Sequence, residues 1–349
     1  MTISSAIEER VFNWLARHKR LSGQQLAEQL SVSRAAIWKA ISRLRAAGMP
    51  IVSLRGHGYV LEQPVQLFGA NVLQSASSVP CRVLFCTDST NDEARALTQD
   101  GFVVAERQNR GRGRMGRHWV SVPGFSITLS GRFSLAQGIA DLAGLNLAVA
   151  VAVWRCADTL GFAGLKLKWP NDLVLSNTAG SLLKVGGVLI EISGEMEGPC
   201  RVIVGLGLNW RLPETAMKVI DQPAANITDL AWHDTPARPT CPGRQEFLAT
   251  LLPLIDGHVR NWCHPSESRR RAFRRTVIKQ WHRGDALLGR NVLLFRSDDH
   301  RTPCHSGRYR GVLADGAMQL ETREGLLPFH SGEVSLRPVK NVQKSPCVR

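Results

Sequence analysis

Residues 106–119 read Glu-Arg-Gln-Asn-Arg-Gly-Arg-Gly-Arg-Met-Gly-Arg-His-Trp, a window holding five arginines. Arg112, Arg114 and Arg117 stand between or beside Gly111, Gly113 and Gly116. Guanidinium groups crowded in this way repel one another unless anions separate them. Arginine forks grip phosphate or carboxylate in bidentate fashion and stay charged when desolvated. Glycine allows positive φ and a close approach of the backbone to a ligand. The window therefore describes a cradle for a phosphate and an adjacent carboxylate, and from the loop alone an arginine-rich surface that binds nucleic acid nonspecifically stays open.

Gly111, Gly113 and Gly116 also spell G-x-G-x-x-G. A dinucleotide site needs a helix after the last glycine and an acidic residue about 20 positions on. Here Pro123, Gly124 and a strand-like stretch follow, and the ribose position falls near Gly131 and Arg132. A kinase glycine loop fails as well, because no V-A-I-K, H-R-D or D-F-G accompanies it.

Four further clusters carry chemistry. Asp88-Ser89-Thr90-Asn91 is polar and follows an apolar stretch, which also suits a helix N-cap. Lys168-Trp169-Pro170-Asn171-Asp172 places a lysine at a rigid proline corner. Gly186-Gly187 inside residues 185–191, and Gly205-Leu206-Gly207-Leu208-Asn209, put glycines in strands, a sign of close backbone approach. Each is weak alone, but their order along one chain is informative.

The elements that must position them fall into three regions. In residues 1–64, Ile7, Val11 and Leu15 make one apolar stripe. Ser22 with Gln25 predicts a capping box opening a second helix, and Ser33 caps a third carrying Ile37, Ile41 and Leu44 up to Gly48. Two strands, 51–54 and 59–61, flank the turn Arg55-Gly56-His57-Gly58. This is a winged helix-turn-helix pattern, and residues 1–65 carry nine Lys/Arg against four Glu. Ser22, Ser33, Arg34, Ala35, Trp38, Lys39 and Arg43 are the expected DNA-binding residues.

Residues 66–280 alternate apolar strands (102–105, 125–129, 166–169, 186–192, 202–207) with helical stretches, as an α/β domain should. Residues 139–160 predict one long buried helix. The tail, 282–340, has short strands at 291–295, 308–313 and 318–321 with Ala314-Asp315-Gly316 as a hairpin turn, so a small β-barrel or sandwich is expected. The fold class is thus multidomain α+β.

The chain of 349 residues can bury a substantial core, and its net charge of +15 favours acidic or polyanionic partners. Eight cysteines without a C-x-x-C pair argue against zinc or a disulfide scaffold, so no metal ligands are assigned. The start, MTISSAIEER, lacks the apolar core of a signal peptide, and no apolar run of about 18 residues is apparent to span a bilayer. Reduced thiols in the cytoplasm are expected.

In order and spacing, the clusters resemble the biotin protein ligases, specifically the bifunctional bacterial kind that are also biotin operon repressors. The likeness extends from Ser33-Arg34-Ala35-Ala36-Ile37 through Gln108, the glycine-arginine loop and Lys168–Asp172 to Gly207–Asn209 and Gly332-Glu333-Val334-Ser335-Leu336-Arg337. It implies a winged helix, a central catalytic domain resembling class II tRNA synthetases, and a C-terminal SH3-like barrel. It also implies two chemical steps. Biotin carboxylate attacks the ATP α-phosphate to give biotinyl-5′-adenylate, with Mg²⁺ sharing the phosphate charge, and a lysine of biotin carboxyl carrier protein of acetyl-CoA carboxylase then takes the acyl group.

By that resemblance Ser89, Thr90, Asn91 and Gln108 bond biotin, while Arg112, Gly113 and Arg114 hold its carboxylate or adenylate. Arg117 and Trp119 serve the nucleotide end, Lys168 stabilises charge on the reacting oxygens, and Lys184 and Asn209 are second-rank nucleotide residues. Operator DNA and a ligand-promoted homodimer are the implied regulatory partners. A non-catalytic biotin sensor and a lipoate-type ligase are the alternatives. Met115 stands where many relatives carry arginine, and residues 260–283 add eight Lys/Arg against one Glu. That basic cluster would steer an acidic carrier domain or add affinity for the DNA backbone.

Overall fold

The computed structural model describes residues 3–18, 20–56, 58–233, 240–296, 302–330 and 334–338. His57, Gly332 and Glu333 of the motifs above lie outside the described residues.

The N-terminal unit forms as its capping residues dictate. Helix α1 (Ile3–Arg17) precedes α2 (Gly23–Leu30), where Ser22 and Gln25 complete the reciprocal capping box, and α3 (Arg34–Ala46), where Ser33 Oγ accepts from Ala36 N at 3.1 Å. Strands β1 (Ile51–Leu54) and β2 (Gly58–Leu61) pair antiparallel as the wing. The apolar core of this unit runs without a break into Phe85, Val122, Phe125, Leu212 and Ala216 of the next, so the two are packed together.

The central unit is built on one seven-stranded sheet. Helix α4 (Ala70–Ala76) leads into β3 (Cys81–Thr87), α5 (Thr90–Ala96), β4 (Gly101–Gln108) and β5 (Ser126–Leu135). After α6 (Leu145–Thr159) come β6 (Phe162–Ala163), β7 (Leu165–Lys168), β8 (Asp172–Ser176), β9 (Leu182–Gly194) and β10 (Cys200–Asn209). The order is β3-β4-β5-β10-β9-β8-β7, with only β3–β4 parallel, and β6 pairs instead with β11 (Ala231–Trp232), which follows α7 (Glu214–Met217). Side chains alternate across the sheet. Leu129, Leu167 and Leu206 therefore join the main core beside α6, α8 (Arg244–Trp262) and α9 (Glu267–Gly284), whereas Ser130 and Gly205 meet α5 on the other face.

Two expectations need correction. The predicted helix over 139–160 is broken: Ile139–Leu142 is a 3₁₀ turn, Gly144 sits at φ 79°, and α6 starts only at Leu145. A Cβ on Gly144 would collide with Trp262 and the Gly316 backbone, so contact with the C-terminal unit imposes the break. The stretch Ile139–Thr159 is also long and apolar enough to cross a membrane, contrary to the sequence reading. Here α6 packs on the sheet, α8 and α9 as a core helix.

The C-terminal strands β12 (Asn291–Arg296), β13 (Pro303–Val312), β14 (Met318–Thr322), β15 (Gly325–Phe329) and β16 (Val334–Pro338) form one antiparallel sheet, ordered β15-β14-β13-β12-β16. Its inward residues Val292, Leu294, Tyr309 and Leu320 belong to the same core as the central sheet.

His258 in α8 is 4 % exposed, and its Nε2 has no partner among the described residues. Burial pushes its pKa down to about 4. A histidine held neutral by the fold supports stability fully above its ordinary range, near pH 6.5, and withdraws that support as pH falls toward 4. The shift corresponds to about 3 kcal/mol. His258→Gln should flatten the fall in denaturant midpoint between pH 7 and pH 4.5; an unchanged slope would show that other groups govern it.

Candidate active site

The site opens on the sheet face that carries α5, where strand ends and one hairpin converge. Ser89 caps α5 and is buried with Thr90 and Asn91. Thr90 donates to Gln108 Oε1 from its backbone N at 2.7 Å and from Oγ1 at 2.9 Å. Asn91 is held at both ends: Ser130 Oγ lies 2.6 Å from its Oδ1, and its Nδ2 donates to Glu191 at 2.8 Å. Among the described residues Ser89 Oγ and Gln108 Nε2 meet no hydrogen-bond partner, and both residues line the pocket. Thr90 and Asn91 set their geometry.

The glycine-arginine loop is a hairpin. Gly113 N donates to Arg117 O and Trp119 N to Gly111 O, at 2.7 and 2.8 Å. Its tip holds Met115 at φ 57°, half-exposed, and Gly116 at φ 70°. A β-carbon in that left-handed region costs about 1 kcal/mol. Arg112 does not face the pocket as a bare cation: it grips Asp92 in bidentate fashion at 2.7 and 2.8 Å and lies 3.6 Å from Glu191. Arg112 in turn holds the Asp92 carboxyl below its usual range. Arg112 is therefore the loop's anchor, while Arg114 reaches across to the Lys168–Asp172 corner, donating to Asn171 Oδ1 at 3.0 Å.

At the opposite wall Asp172 serves two lysines. Lys184 Nζ is 2.7 Å from Oδ1, and Lys168 Nζ is 4.0 Å from Oδ2. Burial alone would raise the Asp172 carboxyl, but Lys184, Lys168 and Arg114 outweigh it and hold it low. Lys184, ranked second from sequence, is thus the more tightly held of the two. Asn209 stands behind it, donating to the carbonyls of Lys184 and Ala225.

The strand glycines are used as expected. A Cβ on Gly207 would strike the Trp119 indole, one on Gly205 the Asn91 amide, and one on Gly186 Leu208. The Trp119 indole thus sits against the bare backbone of Gly207 and lines the pocket, together with Arg117, Gln108 and Ser89. Sequence reasoning missed Asp92, Glu191 and Ser130, and also Leu336 of β16, which reaches the pocket from the C-terminal unit.

On the winged helix, Arg34, Ala35, Trp38 and Lys39 are exposed along one side of α3, Trp38 by 62 %. Ser22 and Ser33 spend their hydroxyls on helix caps. Arg43 turns toward buried Glu8 of α1 at 3.5 Å, a carboxylate it shares with Arg107 of β4. Arg45, unassigned from sequence, instead braces the wing through Ile51 O and Ser53 Oγ.

A winged helix packed on a domain whose pocket gathers arginines, lysines and bare glycine backbone defines a DNA-binding protein with an anion-handling catalytic domain. A family of helix-turn-helix domains matches residues 8–60, and the Biotin/lipoate A/B protein ligase family matches residues 83–209. The bifunctional ligase/repressor BirA of Salmonella typhimurium strain LT2 is 31 % identical over 90 % of this chain and 93 % of its own length. That of Escherichia coli K12 is 30 % identical over 93 % and 95 %. Biotin protein ligase from Aquifex aeolicus, solved with biotin and ATP, superposes with a TM-score of 0.56 at 25 % identity, covering 74 % of this chain and 99 % of that one. The chain belongs to the family of bifunctional biotin ligase/repressors.

Proposed function

We propose that this protein joins biotin to ATP as biotinyl-5′-adenylate, passes the biotinyl group to a lysine of biotin carboxyl carrier protein of acetyl-CoA carboxylase, and represses biotin-synthesis genes at operator DNA. One observation carries the reading: the arginine hairpin and the Lys168–Asp172–Lys184 cluster, 50 to 70 residues apart in sequence, line one pocket. Positioning and charge neutralisation dominate such chemistry. Ser89 and Gln108 bond the biotin ring, Arg114 and Arg117 hold the carboxylate and phosphate, and the lysines face the reacting oxygens. Trp119, Lys184 and Asn209 border the nucleotide end.

Among the described residues, Asp172 is the one carboxylate lining this pocket and it is occupied by lysines, and no cluster of His, Cys, Asp or Glu is placed to hold a metal. Mg²⁺ would enter this site with ATP and share the phosphate charge there. The retained lysines argue for catalysis over mere sensing, and the biotin-named relatives favour biotin over lipoate. A cytoplasmic, ligand-promoted homodimer that reads a palindromic operator completes the proposal. Transfer of biotin to purified carrier domain, and footprinting of a biotin-gene promoter with and without the adenylate, test the two halves separately; no transfer, or a footprint indifferent to the adenylate, would refute the corresponding half.

The basic cluster over 260–283 divides into fastening and exposed residues. Arg270 pairs with Asp141 at 3.4 Å and Arg274 donates to the Asp141 carbonyl, so both fasten α9 to the turn before α6. Arg275, Lys279 and Arg283 are exposed four residues apart on the outer face. Reversing these three to Glu is expected to slow transfer to an acidic carrier several-fold at low salt and hardly at high salt. A salt-independent rate would remove the steering role.

A further inference from the structure

The two pocket lysines are not equivalent. One carboxylate, Asp172, faces Lys184, Lys168 and Arg114, while Arg337 and Arg117 add positive charge around Lys168 itself. So much positive charge about one anion in a partly buried site is unfavourable, and arginine cannot relieve it by losing a proton. Lys184 Nζ has the closer hold on Asp172, at 2.7 Å. Lys168, at 4.0 Å and 22 % exposed, has the weaker hold on the same carboxylate. Its burial, with Lys184, Arg337 and Arg117 nearby, pushes its pKa down despite Asp172.

We propose that Lys168 is the general base of the transfer step, taking the proton from the acceptor lysine as that amine attacks the biotinyl-adenylate. This rests on the two-step reading above. While ATP is bound, the triphosphate's negative charge keeps Lys168 protonated, and it serves with Lys184 as a cation. Departure of pyrophosphate removes most of that negative charge, and the surrounding cations then favour neutral Lys168. The acceptor amine forms a C–N bond to the biotinyl carbonyl carbon, the C–O bond to phosphate breaks, AMP leaves with that electron pair, and the amine proton passes to Lys168 Nζ. Solvent then removes it. One side chain thus serves charge stabilisation in the first step and proton transfer in the second.

The test uses the full-length protein with supplied biotinyl-5′-adenylate, in single turnover, against two nucleophiles: the lysine of purified carrier domain, and hydroxylamine, whose amine is already neutral at pH 7.5. Lys168→Arg keeps the charge but cannot accept the proton. The ratio of lysine transfer to hydroxylamine trapping should fall about 100-fold in this variant. The wild-type lysine-transfer rate should rise with pH through the Lys168 titration, a limb that Lys168→Arg abolishes. Lys168→Ala should show the same changed ratio. An equal loss with both nucleophiles, or an unchanged ratio, would overturn the base assignment while leaving adenylate formation standing. Wild-type protein that attaches biotin to neither nucleophile would overturn the parent reading and this one together.

Discussion

Lys184→Ala is expected to lower biotin-dependent pyrophosphate exchange by about 100- to 1000-fold, the range seen when a pre-positioned charge-stabilising donor is removed. The reason lies in what holds this side chain. Lys184 sits at the start of β9, with its backbone N bonded to Pro223 O and its carbonyl receiving Ala225 N and Asn209 Nδ2. Asp172 then aims its ammonium at 2.7 Å. A donor fixed from both ends needs no reorganisation as negative charge develops on the reacting oxygens. Its removal also leaves half-buried Asp172 with the more distant Lys168 and with Arg114, so its carboxyl should titrate higher. Lys184→Arg should recover part of the rate, since the charge returns without the compact geometry. An alanine variant exchanging within threefold of wild type would place the electrostatic centre elsewhere, with Lys168 or Arg114 the next to examine.

The second large effect concerns stability. Glu106 at the end of β4 and Arg244 at the start of α8 form a buried pair at 2.8 Å, both under a tenth exposed. Glu106 also accepts from Phe68 N and Gly124 N, while Arg244 donates to the carbonyls of Ser126 and Gln66 and stacks on the Phe68 ring. Linker, sheet, the turn before β5 and α8 are therefore tied at one point. Glu106→Gln would strand a buried guanidinium, at a cost of about 3–5 kcal/mol. A fall in melting temperature of about 10 °C should follow. Replacing both partners, Glu106→Gln with Arg244→Met, should recover part of the loss, because the lone charge is then gone. A single variant as stable as wild type would mean that water reaches this pair.

Much of this architecture was legible because its signals are local. Ser22 with Gln25, Ser33 and Gly48 mark the helices of the N-terminal unit by cap chemistry alone. The strand glycines announced themselves by type: Gly205 and Gly207 are bare because Asn91 and Trp119 occupy the space. What was not legible depends on contacts between distant residues. The break at Gly144 answers to Gly316, far along the chain. Asp92 is an acidic residue in the first turn of α5, a common placement that carries no signal by itself, and only its neighbour across the site, Arg112, makes it the hairpin's anchor. Strand β3 escaped because Cys81–Thr87 lacks clean alternation, as befits a strand packed partly against α1. The basic run over 260–283 was visible as charge, but its division into fastening and exposed residues required Asp141. The ranking of Lys168 above Lys184 rested on motif resemblance, and it is the shared carboxylate of Asp172 that separates their roles.

The central claim is that this pocket activates biotin with ATP before any acceptor arrives. Pure protein incubated with ATP, Mg²⁺ and labelled pyrophosphate, without a carrier domain, addresses it most directly. Exchange of label into ATP should appear on adding biotin and stay at background with lipoate. Background exchange with both acids would contradict the claim, and exchange driven by lipoate alone would move the protein to the other branch of its ligase family.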